Sequence, residues 1–168
     1  MKKIVLIGFA ACYKSTVGKL LADRLNFAFV DTDEEIARIE NMSIRQIFET
    51  QGESYFRQRE TDVLCAIQTY NTVVACGGGS VLSSTFSEFI RDSIVICLTA
   101  TAETVLARLG EVERPLFDGL TVEQLRGIIC ERAPLYNKYA DAVFNTDGKT
   151  SQQVFEQIYR YLTANNFN

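Results

Sequence analysis

With 168 residues, 47% hydrophobic and 23% charged, the chain has the length for one well-buried domain and the composition of an ordinary soluble globular protein. A net charge of −4 argues against nucleic acid as the main partner, so an anionic ligand must be met by arginines gathered at one place. Histidine is absent, which removes histidine triads, imidazole bases and most zinc sites and leaves acid–base work to carboxylates, Lys, Tyr or Cys.

Five cysteines without a C-x-x-C pair suggest reduced thiols and a cytoplasmic setting. No apolar run has membrane-spanning length, and Gly8 and Lys14 follow Met1-Lys2-Lys3 too soon for a signal peptide. No membrane or nucleic-acid partner is therefore expected.

Ile4-Val5-Leu6-Ile7 reads as a short buried strand. Gly8-Phe9-Ala10-Ala11-Cys12-Tyr13-Lys14-Ser15-Thr16 follows, and then the period changes, with Val17, Leu20, Leu21 and Leu25 on one helical face. Strand, glycine-started loop, Lys-Ser and helix is the layout of a phosphate-binding P-loop. Backbone N–H groups cradle the phosphates there, the Lys reaches the β/γ oxygens, the hydroxyl holds Mg²⁺, and the helix N-terminus adds partial positive charge. The pattern Gly-x-x-x-x-Gly-Lys-Ser/Thr is met at Gly8, Lys14 and Ser15, but its second glycine is Tyr13. A side chain crowds a loop whose glycine allows positive φ and close approach to the ligand. The stretch is a phosphate loop adapted to Tyr13, or a strand–turn–helix with a chance Lys-Ser. Cys12 stands near the same helix N-terminus, a setting that lowers a thiol's pKa, and is read as a small loop residue.

Phe27-Ala28-Phe29-Val30 reads as the second strand, ending in Asp31-Thr32-Asp33. On an extended segment the two carboxylates point to one side, where one could hold Mg²⁺ and the other accept a hydroxyl proton; the alternative is a helix N-cap. Ser43-Ile44-Arg45-Gln46 is a capping box, and Gly52-Glu53 through Phe56-Arg57-Gln58-Arg59-Glu60 leads into a helix to about Tyr70, where Arg57 and Glu60 have i,i+3 spacing. Thr72–Cys76 is the third strand, closed by Gly77-Gly78-Gly79, whose amides are free to approach a ligand or make a tight turn. Residues 94–98 and 142–144 read as the fourth and fifth strands. Between them lie an irregular segment from Gly110 to Gly119, a lid or a plain surface loop, and a helix opening at Thr121-Val122-Glu123-Gln124 and ending near Arg132-Ala133-Pro134. A last helix spans about Ser151 to Leu162. Near-continuous apolar strands alternating with helices predict a parallel sheet covered on both faces, with ligands at the strands' carboxyl ends. Arg57, Arg114 and Arg132 are candidate anion contacts.

This order of motifs resembles shikimate kinase over nearly the whole chain: the P-loop, Asp31-x-Asp33, Gly52-Glu53 with Phe56-Arg57-x-x-Glu60, Gly77–Gly79, Arg114-Pro115-Leu116 and Arg132-x-x-x-Tyr136. The resemblance implies a three-layer α/β/α fold of the P-loop, nucleoside-monophosphate-kinase type. It implies a five-stranded parallel sheet in the order 2-3-1-4-5 within a single kinase domain over 1–168, with a substrate region about 31–60 and a lid about 110–120. It implies transfer of phosphate from ATP to the 3-hydroxyl of shikimate, a step of aromatic amino-acid biosynthesis, by a monomer. ATP would meet Gly8, Ala11, Cys12, Tyr13, Lys14, Ser15 and Thr16, with Arg108 by the adenine; Ser15 and Asp31 would hold Mg²⁺. Shikimate would meet Asp33, Arg57, Gly77, Gly78, Gly79 and Arg132, and the catalytic residues would be Asp33, Lys14 and Arg114. Family members usually carry glycine where Ala11 and Tyr13 stand, so nucleotide binding is expected to be weaker, or the loop shifted, relative to a Tyr13→Gly variant. Alternatives are another small-metabolite kinase of the same fold, such as a gluconate kinase, and a catalytically impaired binding or regulatory module.

Overall fold

The computed structural model describes residues 3–67, 70–109 and 119–165. Within them the order is β1 (Lys3–Gly8), α1 (Lys14–Leu25), β2 (Ala28–Asp31), α2 (Thr32–Glu40), α3 (Ile44–Ala66), β3 (Thr72–Ala75), a 3₁₀ turn (Ser80–Leu82), α4 (Phe86–Phe89), β4 (Ser93–Thr99), α5 (Ala102–Leu109), α6 (Val122–Tyr139), β5 (Ala142–Asn145) and α7 (Ser151–Ala164). All strand pairs are parallel and the sheet order is β2-β3-β1-β4-β5, as the resemblance implied.

β1 lies mid-sheet and pairs with β3 through Ile4–Val73 to Leu6–Ala75 and with β4 through Lys3–Ser93 to Gly8–Leu98. Alternate side chains of these strands enter opposite layers. Ile4, Leu6, Ile94, Ile96 and Leu98 pack with Val17 and Leu21 of α1 and with Val154, Ile158 and Leu162 of α7. Val5, Ile7, Val74, Val95 and Cys97 pack on the other face with Leu64, Phe86, Phe89 and Tyr136. Burial on both faces explains the absence of polar alternation in β1, β3 and β4. A third cluster, Ile36, Ile47, Phe56 and Val63, holds α2 against α3.

Four elements differ from the sequence reading. α3 ends at Ala66 rather than near Tyr70, while its break at Gly52 (φ 83°, ψ 173°), where two helical stretches meet, falls where the sequence leads into its second helix. The 3₁₀ turn and α4 are too short to show a period. α6 does not stop at Pro134 but runs five residues further, to Tyr139. Proline removes one i→i−4 hydrogen bond and costs about 3 kcal/mol inside a helix. Leu135, Tyr136 and Tyr139 join the second core layer beyond it, and their burial, about 2 kcal/mol for each large side chain removed from water, offsets that loss. Among the described residues no helix is long and apolar enough to cross a membrane.

Candidate active site

A cleft of about 390 Å³ opens at the carboxyl ends of β1, β2 and β3, the edge where parallel sheets gather ligands. It is lined by Ala10 through Thr16, by Asp31 and Asp33, by Arg57 and Glu60, by Cys76 through Gly79, and by Arg108 and Arg132, with Ile44, Phe48 and Phe56 as an apolar wall. The residues singled out in the described sequence thus converge on one cavity, apart from Gly8, which ends β1 beneath it. Arg114, and the expected lid apart from its end at Gly119, lie outside the described residues.

At one end the β1–α1 loop turns into α1 directly at Lys14, aiming that helix's N-terminal amides into the cleft. Lys14 Nζ donates to the Phe9 carbonyl at 2.6 Å, which folds the lysine over the loop. Ser15 Oγ donates to Asp31 Oδ2, while Asp31 Oδ1 accepts from the backbone of Asp33 (3.0 Å) and Glu34 (3.2 Å). Asp31 is therefore both helix cap and site residue. Because its carboxylate starts α2 at Thr32, Asp33 lies in the first helical turn, and the extended same-side spacing expected of Asp31 and Asp33 does not hold. Both carboxylates nevertheless line the cleft. The adjoining hydroxyl and carboxylate of Ser15 and Asp31 are oxygen donors of the kind Mg²⁺ takes when phosphates and water complete its shell, so the residues present fit that ion.

At the other end Arg57 joins Glu60 (2.6 Å) and Glu53 (3.1 Å), and Ser80 Oγ donates to Glu60 at 2.9 Å. The Glu60 side chain is 2% exposed, and its burial pushes the carboxyl above the usual range, with Arg57 pulling it partway back. Burial also works against the Arg57 charge, but the two glutamates outweigh it and raise the guanidinium's pKa. Sequence reading saw Arg57–Glu60 only as helix spacing; one helical turn apart, in a segment rich in cleft residues, was the signal for a buried positioning carboxylate. The glycines are required by this packing: a Cβ on Gly79 would stand 2.1 Å from Arg57 Nη1, and one on Gly77 would stand 2.6 Å from Asp33 Oδ1. Tyr136 Oη donates to the Gly78 carbonyl at 2.6 Å, and Arg132 Nη1 reaches the same oxygen at 3.5 Å.

The helix N-terminus does not lower the thiol pKa of Cys12, in keeping with its reading as a small loop residue. Burial is the largest influence on that pKa and raises it, over the opposing charges of Lys14 and Arg108. Cys97 is pushed by burial up to about 12. These thiols are packing groups.

The shikimate kinase family profile matches residues 10–163. The chain belongs to the shikimate kinase family. It is 39% identical over 167 residues to the shikimate kinase of Thermoanaerobacter pseudethanolicus, with 95% of each chain covered. Among solved structures, a shikimate kinase from Acinetobacter baumannii in complex with shikimate superposes with a TM-score of 0.92 at 32% identity, covering all of this chain and 96% of that one. The shikimate kinase of Aquifex aeolicus gives 0.83 at 35% identity, with 98% of each covered.

Against the shikimate kinase pattern, the two replaced glycines keep glycine-like backbone. Ala11 has φ 57° and Tyr13 φ 67°, both left-handed, at about 1 kcal/mol each for a residue bearing a Cβ. The loop accepts Tyr13 by turning its ring onto Arg108, whose guanidinium carbon lies 3.9 Å from the ring centroid.

Proposed function

We infer that the protein transfers the γ-phosphoryl group of ATP to the 3-hydroxyl of shikimate, giving ADP and shikimate 3-phosphate. The observation that carries this is the single cleft joining a Lys14–Ser15 loop at a helix N-terminus to an Arg57–Arg132 pair, with Asp33 and Gly77–Gly79 also lining it. One end suits a polyphosphate and the other a small carboxylate, which favours shikimate over nucleoside acceptors; gluconate, also a carboxylate, is separated from shikimate by the acceptor panel below.

Phosphoryl transfer asks the protein mainly for positioning and charge neutralisation, so the lack of histidine is no handicap. Backbone amides of the β1–α1 loop and the Lys14 ammonium meet the β- and γ-phosphates. Arg57, held by Glu60, and Arg132 grip the shikimate carboxylate and fix the ring against Gly78 and Gly79. Asp33 binds the 3-hydroxyl and takes its proton as the oxygen bonds to phosphorus and ADP leaves. Ser15, and Asp31 in its outer shell, would hold Mg²⁺, which when bound would supply positive charge to neutralise the β- and γ-phosphates.

The test is ADP release with Mg²⁺ and a panel of shikimate, gluconate and nucleoside monophosphates. Turnover with shikimate alone is expected. Turnover only with another acceptor, or shikimate binding without turnover, would overturn the reading.

A further inference from the structure

Tyr13 fills the position where a phosphate loop asks for glycine, yet the structure gives its ring a partner. The Arg108 guanidinium lies over the ring at 3.9 Å, a close cation–π contact. Three hydrogen bonds hold the same guanidinium in its plane: Nη1 donates to the Ala11 carbonyl (3.0 Å) and to Thr146 Oγ1 (3.0 Å), and Nη2 donates to the Thr146 carbonyl (2.9 Å). Arg108 thus ties together both left-handed non-glycine residues of the loop and fastens them to the β5–α7 turn. A planar cation held at its edges and on one face has one face left to offer, and Arg108 lines the cleft beside Ala11, Cys12 and Tyr13.

We propose that Tyr13 is a positioning residue for nucleotide binding: its ring holds the Arg108 guanidinium as a fixed platform for the purine base, offsetting the glycine that the loop has lost. This rests on the reading that ATP occupies the cleft with its base toward Arg108. It reverses the steric expectation, under which Tyr13 only obstructs. A base stacks on a guanidinium plane much as an arene does, and an arginine already immobilised loses less conformational freedom on binding. The phosphate end is served by loop amides and Lys14, so the ring's effect falls on nucleosides and not on bare polyphosphate.

The experiment is calorimetric titration of the full chain with MgADP and, separately, with tripolyphosphate, for the unaltered protein and for Tyr13→Phe, Tyr13→Leu and Tyr13→Gly. Glycine accepts the left-handed backbone without strain, so it keeps the test clear of folding failure. Tyr13→Gly and Tyr13→Leu are expected to weaken ADP binding about threefold to tenfold, the scale of one cation–π contact, and to leave tripolyphosphate within about twofold. Tyr13→Phe, which retains the ring, should bind both ligands as the unaltered protein does. In an Arg108→Ala background the Tyr13→Gly loss should vanish.

Equal weakening of both ligands would make Tyr13 part of the phosphate cradle and overturn the proposal. So would unchanged or tighter ADP binding in Tyr13→Gly, and so would failure of the unaltered protein to bind ADP. Absence of shikimate turnover with this ADP pattern intact would sink the activity reading alone.

Discussion

The two ends of the cleft are built from different materials. The phosphate end is a backbone device: helix α1 begins at its floor, and the loop holds left-handed conformations at Ala11 and Tyr13, residues that do not favour them. Arg108 ties the loop to the β5–α7 turn, and Ser15 ties the start of α1 to Asp31. The carboxylate end is a side-chain device, in which Arg57, Glu53, Glu60 and Ser80 bond one another and glycines leave them room. A backbone cradle tolerates a changed residue so long as φ is kept. A packed ion network tolerates neither a lost partner nor an added methyl group. Deviations from a motif are therefore to be weighed differently at the two ends.

The sharpest break of the phosphate end is Lys14→Ala. The backbone cradle survives, but its cation is gone, and kcat/KM is expected to fall on the order of 10²- to 10³-fold, the scale of losing one donor aimed at developing charge. Shikimate binding, measured by calorimetry, should be retained. Loss of shikimate binding would show that the two ends are not independent.

The matching break of the carboxylate end is Arg57→Ala, which leaves Glu60 buried without its cation. Breaking a fully buried pair costs 3–5 kcal/mol; with Arg57 25% exposed, about 2 kcal/mol of stability is expected. The pH dependence has a definite sign. Glu60 already has its pKa raised by burial, and removing Arg57 raises it further. A raised carboxyl contributes stability at low pH that is lost as pH rises through its folded value, so the deficit should be larger near pH 8 than near pH 5. Thermal denaturation at the two pH values checks this, and a pH-independent deficit would mean that Arg57 acts by packing alone.

Most of the fold was legible because its strands are short, apolar and separated by capped helices; Ser43 and Thr121 cap their helices as their capping boxes predict. What was not legible depended on distant contacts. The stop expected at Pro134 follows local rules, but Tyr136 is buried, and Tyr139 partly buried, against a layer to which β1 and β4 contribute. The fit of Tyr13 could not be read from the loop, because its partner Arg108 is 95 positions away in the chain and their meeting depends on the sheet order. Asp31 was weighed as either cap or site residue, whereas the two oxygens of one carboxylate serve both.

A gentler probe of the carboxylate end is Tyr136→Phe. It removes the donor to the Gly78 carbonyl and should cost about 1 kcal/mol, the net worth of one such hydrogen bond. The readout that separates the two ends is the pair of KM values, with that for shikimate rising and that for ATP unchanged. Equal changes in both would assign Tyr136 to general stability.

The smallest effect is expected behind the phosphate end, in the turn that anchors Arg108. Asp147 Oδ1 accepts from Thr101 N (2.9 Å) and Thr101 Oγ1 (3.2 Å), and Oδ2 accepts from Asn145 Nδ2 at 2.8 Å. Slight burial opposes its charge, but these bonds and one from Thr104 outweigh it and bring the carboxyl down to about 2. A depressed carboxyl contributes stability above its unfolded value that is lost as pH falls through the folded one, here between about 4 and 2. Because the group is largely in solvent, screening reduces the contribution to about 1 kcal/mol or less. Asp147→Asn should therefore be slightly less stable than the unaltered protein at neutral pH and equal to it near pH 2. Parallel unfolding curves across that range would mean that the turn is held by Thr146 and Arg108 without Asp147.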